Sequence, residues 1–236
     1  MASVSTTAAL NGSRLSGGVS AGFASGVCSD YATRLRRARL GLLVAATPIL
    51  MLFTSFTSAY VVRQGLPTFD PRTNTMVRDW IPVKLPGIFL VNTCVLLLSS
   101  AGMELARRQS HREALAETEP IGVDVPAGRA SDVPWMAVTL ALGILFLAGQ
   151  WVAWGQLRAS GFYVTTTPSS SFIYLLTGTH AIHLLGGVIA LLVAGVASLL
   201  HRSAVTRSIV VDITRWYWHF MAAIWVYILC LLEFAG

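Results

Sequence analysis

The stretch from about Ser171 to Leu200, SFIYLLTGTHAIHLLGGVIALLVAGVASLL, contains no Asp, Glu, Lys or Arg. Roughly 20 apolar residues in α-helix cross the hydrocarbon core of a bilayer, so this stretch is long enough to span with a marked tilt. Four further blocks repeat the pattern: Leu40–Val62, about Pro86–Leu105, Pro134–Leu157 and about Asp212–Phe234. Pro48 and the hydroxyl residues Thr54, Ser55, Thr57 and Ser58 interrupt the first block without ending it. Neighbouring helices in a membrane satisfy the backbone groups that such residues free.

Composition points the same way. Hydrophobic residues make up 54% of the chain and charged residues 12%, where a soluble domain carries about a quarter charged residues. The predicted fold is all-α: an integral membrane bundle of five transmembrane helices over residues 38–236, with no internal repeat. Residues 1–37 form a polar tail rich in Ser, Ala and Gly that closes on Arg34, Arg36, Arg37 and Arg39. The tail lacks the apolar core of a secretory signal and reads as a disordered cytoplasmic segment. The longest hydrophilic stretch after it is the loop from Arg107 to Asp132.

The net charge of +6 does not imply a nucleic-acid partner, because the basic residues flank apolar blocks and form no single stripe for phosphates. They set orientation instead. With the N-terminus inside, twelve of the 17 Lys and Arg residues fall on the inner side, leaving Arg63, Arg72, Arg78, Lys84 and Arg158 outside. That asymmetry is the one cytoplasmic loops show, and five spans then place the C-terminus outside.

Few residues suggest chemistry. Cys28, Cys94 and Cys230 have neither CxxC nor CxxCH spacing, which excludes a zinc clip or covalent c-type haem and leaves them as packing residues. Glu104, Asp212 and Glu233 lie near helix ends, so no mid-membrane carboxylate offers a proton relay. His180 and His183 share a helix face, and His219 sits on the following helix. Three imidazoles could hold a metal or haem; hydrogen bonds between helices or to lipid are the preferred reading. Gly186, Ala190, Ala194 and Ser198 recur every fourth residue, predicting a smooth face for close helix packing. Gly143, Leu147, Gln150 and Trp154 share a stripe, so Gln150 faces protein, because an unpaired amide facing lipid is costly. Trp80, Trp135, Trp216 and Trp218 suit an interfacial aromatic belt.

Four segments in order resemble one family, subunit III of the haem–copper oxidases. The second block carries Leu85-Pro86, then Val91-Asn92-Thr93, Leu96-Leu97-Leu98-Ser99-Ser100 and Glu104, Ala106 and Arg107. The third carries Gly143, Phe146, Leu147 and Gly149-Gln150, and the fourth Thr177-Gly178-Thr179-His180-Ala181-Ile182-His183 with Gly186-Gly187. The fifth carries Tyr217-Trp218-His219-Phe220 and Trp225. The resemblance covers roughly residues 38–235 and is to the short, five-helix form of the family. Two positions depart from it. Ile49 stands where the family has an intramembrane Glu on the first of these helices, and Ala222-Ala223 where it often has an Asp.

The resemblance implies a non-catalytic accessory subunit of a proton-pumping terminal oxidase, an oxidoreductase and translocase of aerobic respiration. Haem and copper would belong to partner subunits I and II, and this chain would hold no catalytic or metal centre. It would pack on subunit I, bind phospholipid, and support proton uptake and core stability from a bacterial cell membrane rather than a mitochondrial inner membrane. Asn92, Glu104, Gln150, His180, His183, Trp218, His219, Phe220 and Trp225 would be structural, lipid-contact or subunit-contact residues. A quinol oxidase subunit III or an accessory protein of nitric oxide reductase is an alternative within the family. A stand-alone haem- or metal-binding membrane protein using His180, His183 and His219 is an alternative of another class. A transporter is disfavoured by the absence of repeated halves and buried charges.

Overall fold

The computed structural model describes residues 12–70, 72, 74–77, 80–81, 83–116, 133–199 and 204–234, with side chains at 12–32, 70, 110–116, 133, 197–199 and 204–207 outside the description. Expectations for Cys28, for the Ser198 side chain and for the loop 117–132 therefore lie outside the described residues. Five helices account for most of the chain: α1 (Gly12–Gly65), α2 (Ile88–Ala116), α3 (Val133–Ala159), α4 (Pro168–Leu199) and α5 (Ala204–Phe234). Each contains a segment long and apolar enough to cross a membrane: Thr33–Gly65, Ile88–Gln109, Pro134–Ala159, Pro168–Val196 and Ser208–Phe234.

Three boundaries differ from the sequence expectation. α1 starts at Gly12, inside the segment read as a disordered tail; no proline occurs between Gly12 and Pro48 to stop a helix. α2 runs on to Ala116 and α5 begins at Ala204. Hydropathy marks where a helix leaves lipid, whereas Ala, Arg, Gln and Glu continue it into water at little cost. The loop after α1 contains two short antiparallel strands, β1 (Thr68–Asp70) and β2 (Thr75–Val77), with Phe69 opposite Met76. Asn74 adopts a φ of 53° in the reversal, a conformation its short amide tolerates.

The chain divides into two compact units, Met1–Leu43 and Val44–Gly236. The described part of the first is the N-terminal portion of α1. The second holds the remaining turns of α1, the β1–β2 hairpin and α2–α5.

Local chemistry explains how the spans in the second unit are joined. Gly161, at φ +86°, ends α3. The Phe162 amide reaches back to the Leu157 carbonyl at 3.0 Å and the Gly161 amide to the Arg158 carbonyl at 3.0 Å, a left-handed cap that glycine adopts without a Cβ clash. A few residues later Thr167 caps α4. Its Oγ1 accepts from the Ser170 amide at 3.2 Å, while Ser170 Oγ accepts from the Thr167 amide at 3.2 Å. Pro168 occupies the first helical position, where no amide donor is needed.

Helices α2 to α5 close a ring in which α3 packs on α2 and α4, and α5 packs on α2 and α4. All four contacts are antiparallel. Asn92 meets Gly149 and Gly102 meets Thr139 across α2–α3, whereas Gly143 meets Val188 and Trp154 meets Thr177 across α3–α4. Across α4–α5, Gly187 meets Tyr217 and His180 meets Trp225. Across α2–α5, Glu104 meets Arg215 and Thr93 meets Trp225. The hydrophobic effect does not separate a helix from lipid, so van der Waals fit and interhelical hydrogen bonds hold such a ring. Its core is accordingly bulky: Trp218, Trp225, Phe89, Phe146 and Leu184 are all essentially inaccessible.

Within the second unit, α1 meets the ring through large side chains. Phe53 and Tyr60 are buried, and the Tyr227 hydroxyl donates to Thr57 Oγ1 at 3.0 Å. Cys94 and Cys230 are exposed in this chain rather than packed in its core.

Candidate functional site

The motif residues meet in the interior of the ring. His180 on α4 is fully buried in an aromatic cage. Its ring centroid lies 5.1 Å from Trp225, 5.9 Å from Phe146 and 6.5 Å from Phe53. Phe146 also meets Trp225 edge-on at 4.9 Å, and Phe89 stacks on Trp225 at 6.1 Å. Such edge and offset contacts each contribute about 0.5–1.5 kcal/mol beyond area burial. Neither ring nitrogen of His180 has a hydrogen-bond partner among the described residues.

His183, one turn on, bonds its own helix through Nδ1 to the Thr179 carbonyl at 2.8 Å, and its carbonyl accepts from the Tyr217 hydroxyl at 2.8 Å. His219 is half-buried on α5, about 9 Å along the helix from Trp225 at 1.5 Å per residue. The three histidines therefore do not converge. Among the described residues no group of three His, Cys, Asp or Glu side chains is placed to hold a metal.

Asn92 and Gln150 are also buried, at 3% and 1% exposure. The Asn92 amide lies against Gly149, where a Cβ would overlap it. Gly149 is thus the residue that lets α2 and α3 approach. Gln150 is buried within the protein, yet neither its Oε1 nor its Nε2 has a hydrogen-bond partner among the described residues, so pairing of the amide does not account for its position. Trp225 donates its Nε1 hydrogen to Thr93 Oγ1 at 2.9 Å, fixing the indole between α5 and α2.

Two expectations need correction. Trp218 belongs to no interfacial belt: it is fully buried and lies over Gly143 and Gly187, whereas Trp216 is 48% exposed. The two indoles sit two residues apart and so point to opposite sides of a helix. The stripe on α4 is likewise not one packing face. Gly186 and Ala190 are exposed and Ala194 is buried, because four residues overrun a 3.6-residue turn and each step rotates the stripe. Close approach to α5 uses Gly187 instead, where a Cβ would meet Tyr217 at 2.9 Å. Phe220 is half-buried against the core.

A charged cluster that sequence reading passed over as separate helix-end residues closes one end of α2 and α5. Glu104 accepts from Arg215 at 2.9 Å and pairs with Arg107 and Arg108 at 3.4 Å each. Arg107 reaches Asp212 at 3.3 Å. The spacings of Glu104 to Arg107, Glu104 to Arg108 and Asp212 to Arg215 were the available signal, since residues three or four apart face one another on a helix. The two carboxylates and three arginines carry a net charge of +1 and tie α2 to α5.

These features define a class: a multi-pass α-helical membrane protein with five long apolar helices. The sequence model of the cytochrome c oxidase subunit III family matches residues 29–236, and the chain belongs to that family. A probable cytochrome c oxidase subunit 3 of Mycobacterium leprae is 36% identical over 106 residues, covering 42% of this chain and 50% of that protein. The cytochrome c oxidase subunit 3 of Synechocystis is 28% identical over 197 residues, covering 80% of this chain and 71% of its own length. That of Triticum aestivum is 25% identical over 195 residues, covering 80% and 65%. The match thus spans about half the length of the mycobacterial relative and more of the other two.

Proposed function

We propose that this chain is the accessory, non-catalytic third subunit of a proton-pumping terminal oxidase that reduces oxygen to water. The observation that carries this reading is the family match over residues 29–236. The interior supports it, because the motif residues are spent on packing: His180 in an aromatic cage, Asn92 against Gly149, Trp218 over Gly143 and Gly187. In this reading the haems and coppers sit in subunits I and II, and the chain packs on subunit I and takes phospholipid along its apolar faces. It supports proton uptake by holding the partner's structure, since Ile49, half-buried against the core, stands where a membrane carboxylate would be needed. The N-terminus lies inside a bacterial cell membrane and the C-terminus outside. The Glu104–Arg215 cluster then lies at the cytoplasmic end, where basic residues predominate.

Gentle extraction of the tagged chain from native membranes tests the reading. Two large partners carrying haem and copper are expected to co-purify, with no visible absorbance when the chain is expressed alone. A chain that purifies alone and still carries haem or metal would overturn it and return His180, His183 and His219 to the ligand role.

A further inference from the structure

The seam between α2 and α3 buries two carboxamides, Asn92 and Gln150. Asn92 is pressed on the α3 backbone, its Nδ2 3.0 Å from where a Cβ on Gly149 would stand. Gln150 is the next residue of α3 and projects about 100° further round the helix, so the two amides flank one turn without bonding each other. Phe146 and Trp154, one turn to either side of Gln150, also face inward: Phe146 meets Trp225 and Trp154 donates to Thr177. Asn92 Nδ2 and both amide atoms of Gln150 have no hydrogen-bond partner among the described residues. The neighbouring hydroxyls are already committed. Thr93 Oγ1 accepts from Trp225 at 2.9 Å and donates to the Phe89 carbonyl at 2.8 Å. Thr177 Oγ1 accepts from Trp154 at 3.1 Å and donates to the Ile173 carbonyl at 2.6 Å.

We infer that this seam is a binding site for an internal water molecule that joins Asn92 of α2 to Gln150 of α3. A buried amide left unpaired is costly, and water binds inside proteins where two to four polar groups meet. Here the water accepts from Asn92 Nδ2 and donates to Gln150 Oε1. Each carboxamide carries a donor at one end and an acceptor at the other, so a half-turn of either amide preserves the bridge. An ion does not suit the site, because both side chains are uncharged and charges on these helices stand far off. Glu104 is twelve residues along α2 from Asn92, about 18 Å, and Arg158 eight residues along α3 from Gln150, about 12 Å. Side chains of another polypeptide cannot enter, since the two amides are only 3% and 1% exposed. A bridging water serves almost as well as a direct hydrogen bond. It would tie α2 to α3 beside the Gly149 contact, in a bundle held by fit and interhelical bonds. The inference rests on the interior of this chain and not on its role as a subunit, so either reading stands if the other fails.

The test is electron cryo-microscopy of the full chain in its native assembly, at a resolution of about 2 Å or better, where ordered water is visible. A density peak is expected within hydrogen-bond distance, about 2.7–3.2 Å, of both the Asn92 and the Gln150 amide. Asn92→Leu and Gln150→Met keep the approximate size of each side chain and remove its polar atoms, and each is expected to abolish the peak. The unaltered chain decides the matter by itself if either variant fails to fold. An Asn92 amide bonded directly to Gln150, or a seam with no peak between them, would overturn the inference. So would a peak that persists in either variant.

Discussion

Replacing Gly143 by Ala tests whether glycines in the motifs are there for contact. A Cβ at this position would lie 2.7 Å from Trp218 Cη2, 3.1 Å from Trp218 Cζ2 and 3.4 Å from Val188 Cγ2. The indole has little room to retreat, because Gly187 bounds it from α4, its Cζ3 lying 3.5 Å from where a Cβ would stand. Overpacking of this kind costs about 1–3 kcal/mol. Alanine also gains about 1 kcal/mol of helix propensity over glycine, so the comparison must be with a glycine that has free space. Gly195→Ala supplies it, with nothing within 4 Å. The difference between the two variants isolates the clash and corresponds to roughly a 5- to 150-fold change in the unfolding equilibrium. Reversible unfolding in mixed detergent micelles, followed by circular dichroism, measures it. Trp218→Phe removes the ring edge that the added methyl group would strike, so the double variant should be more stable than the sum of its parts by about 1 kcal/mol. Equal stability of Gly143→Ala and Gly195→Ala, or strict additivity in the double variant, would refute the packing argument.

His180→Phe should be tolerated within about 1.5 kcal/mol, because the swap keeps a flat ring in an aromatic cage and removes two unpartnered nitrogens; a loss above about 3 kcal/mol in the same assay would show that those nitrogens have partners. Trp225→Phe and Thr93→Val break one shared hydrogen bond, so after each is corrected for packing the double variant should cost no more than the larger single one. Arg215→Met leaves Glu104 without its 2.9 Å partner and is expected to destabilise the chain by about 1–3 kcal/mol. Arg108→Met, whose own side chain is 66% exposed where it pairs with Glu104, is expected to cost under about 0.5 kcal/mol. A cysteine added before Met1 should resist an impermeant thiol reagent applied to intact cells, and one added after Gly236 should react; the opposite result would invert the proposed orientation.

The spans were legible because bilayer thickness imposes a length on every apolar block, and a length survives in one dimension. Within them, the burial of Gln150 was legible but not its pairing, since both amide atoms lack a partner among the described residues. Trp218 was not placeable, since tryptophan serves equally as an interfacial anchor and as a core residue. Only the glycines facing it, Gly143 and Gly187 on two other helices, decide between the two roles. The α4 stripe failed for a related reason. Spacing by four is a local property, whereas the packed face is set by where α5 lies, and α5 lies over Gly187 rather than Gly186.

The same distinction bears on what the histidines do. Two imidazoles three residues apart suggest a ligand pair when read along the chain, yet their surroundings separate them. His180 is enclosed by carbon, with Phe53, Phe146 and Trp225 as ring neighbours, while His183 is held by a carbonyl of its own helix. A redox metal needs several donors converging from different elements and a second shell that orients each one. Here the elements that converge on His180 bring aromatic faces. One linked group of charges stands instead toward the end of the bundle, where Glu104 and Asp212 offset two of the three arginines Arg107, Arg108 and Arg215. The buried centre carries uncharged polar side chains such as Asn92, Gln150 and His180, and the charges of the cluster stand apart from it.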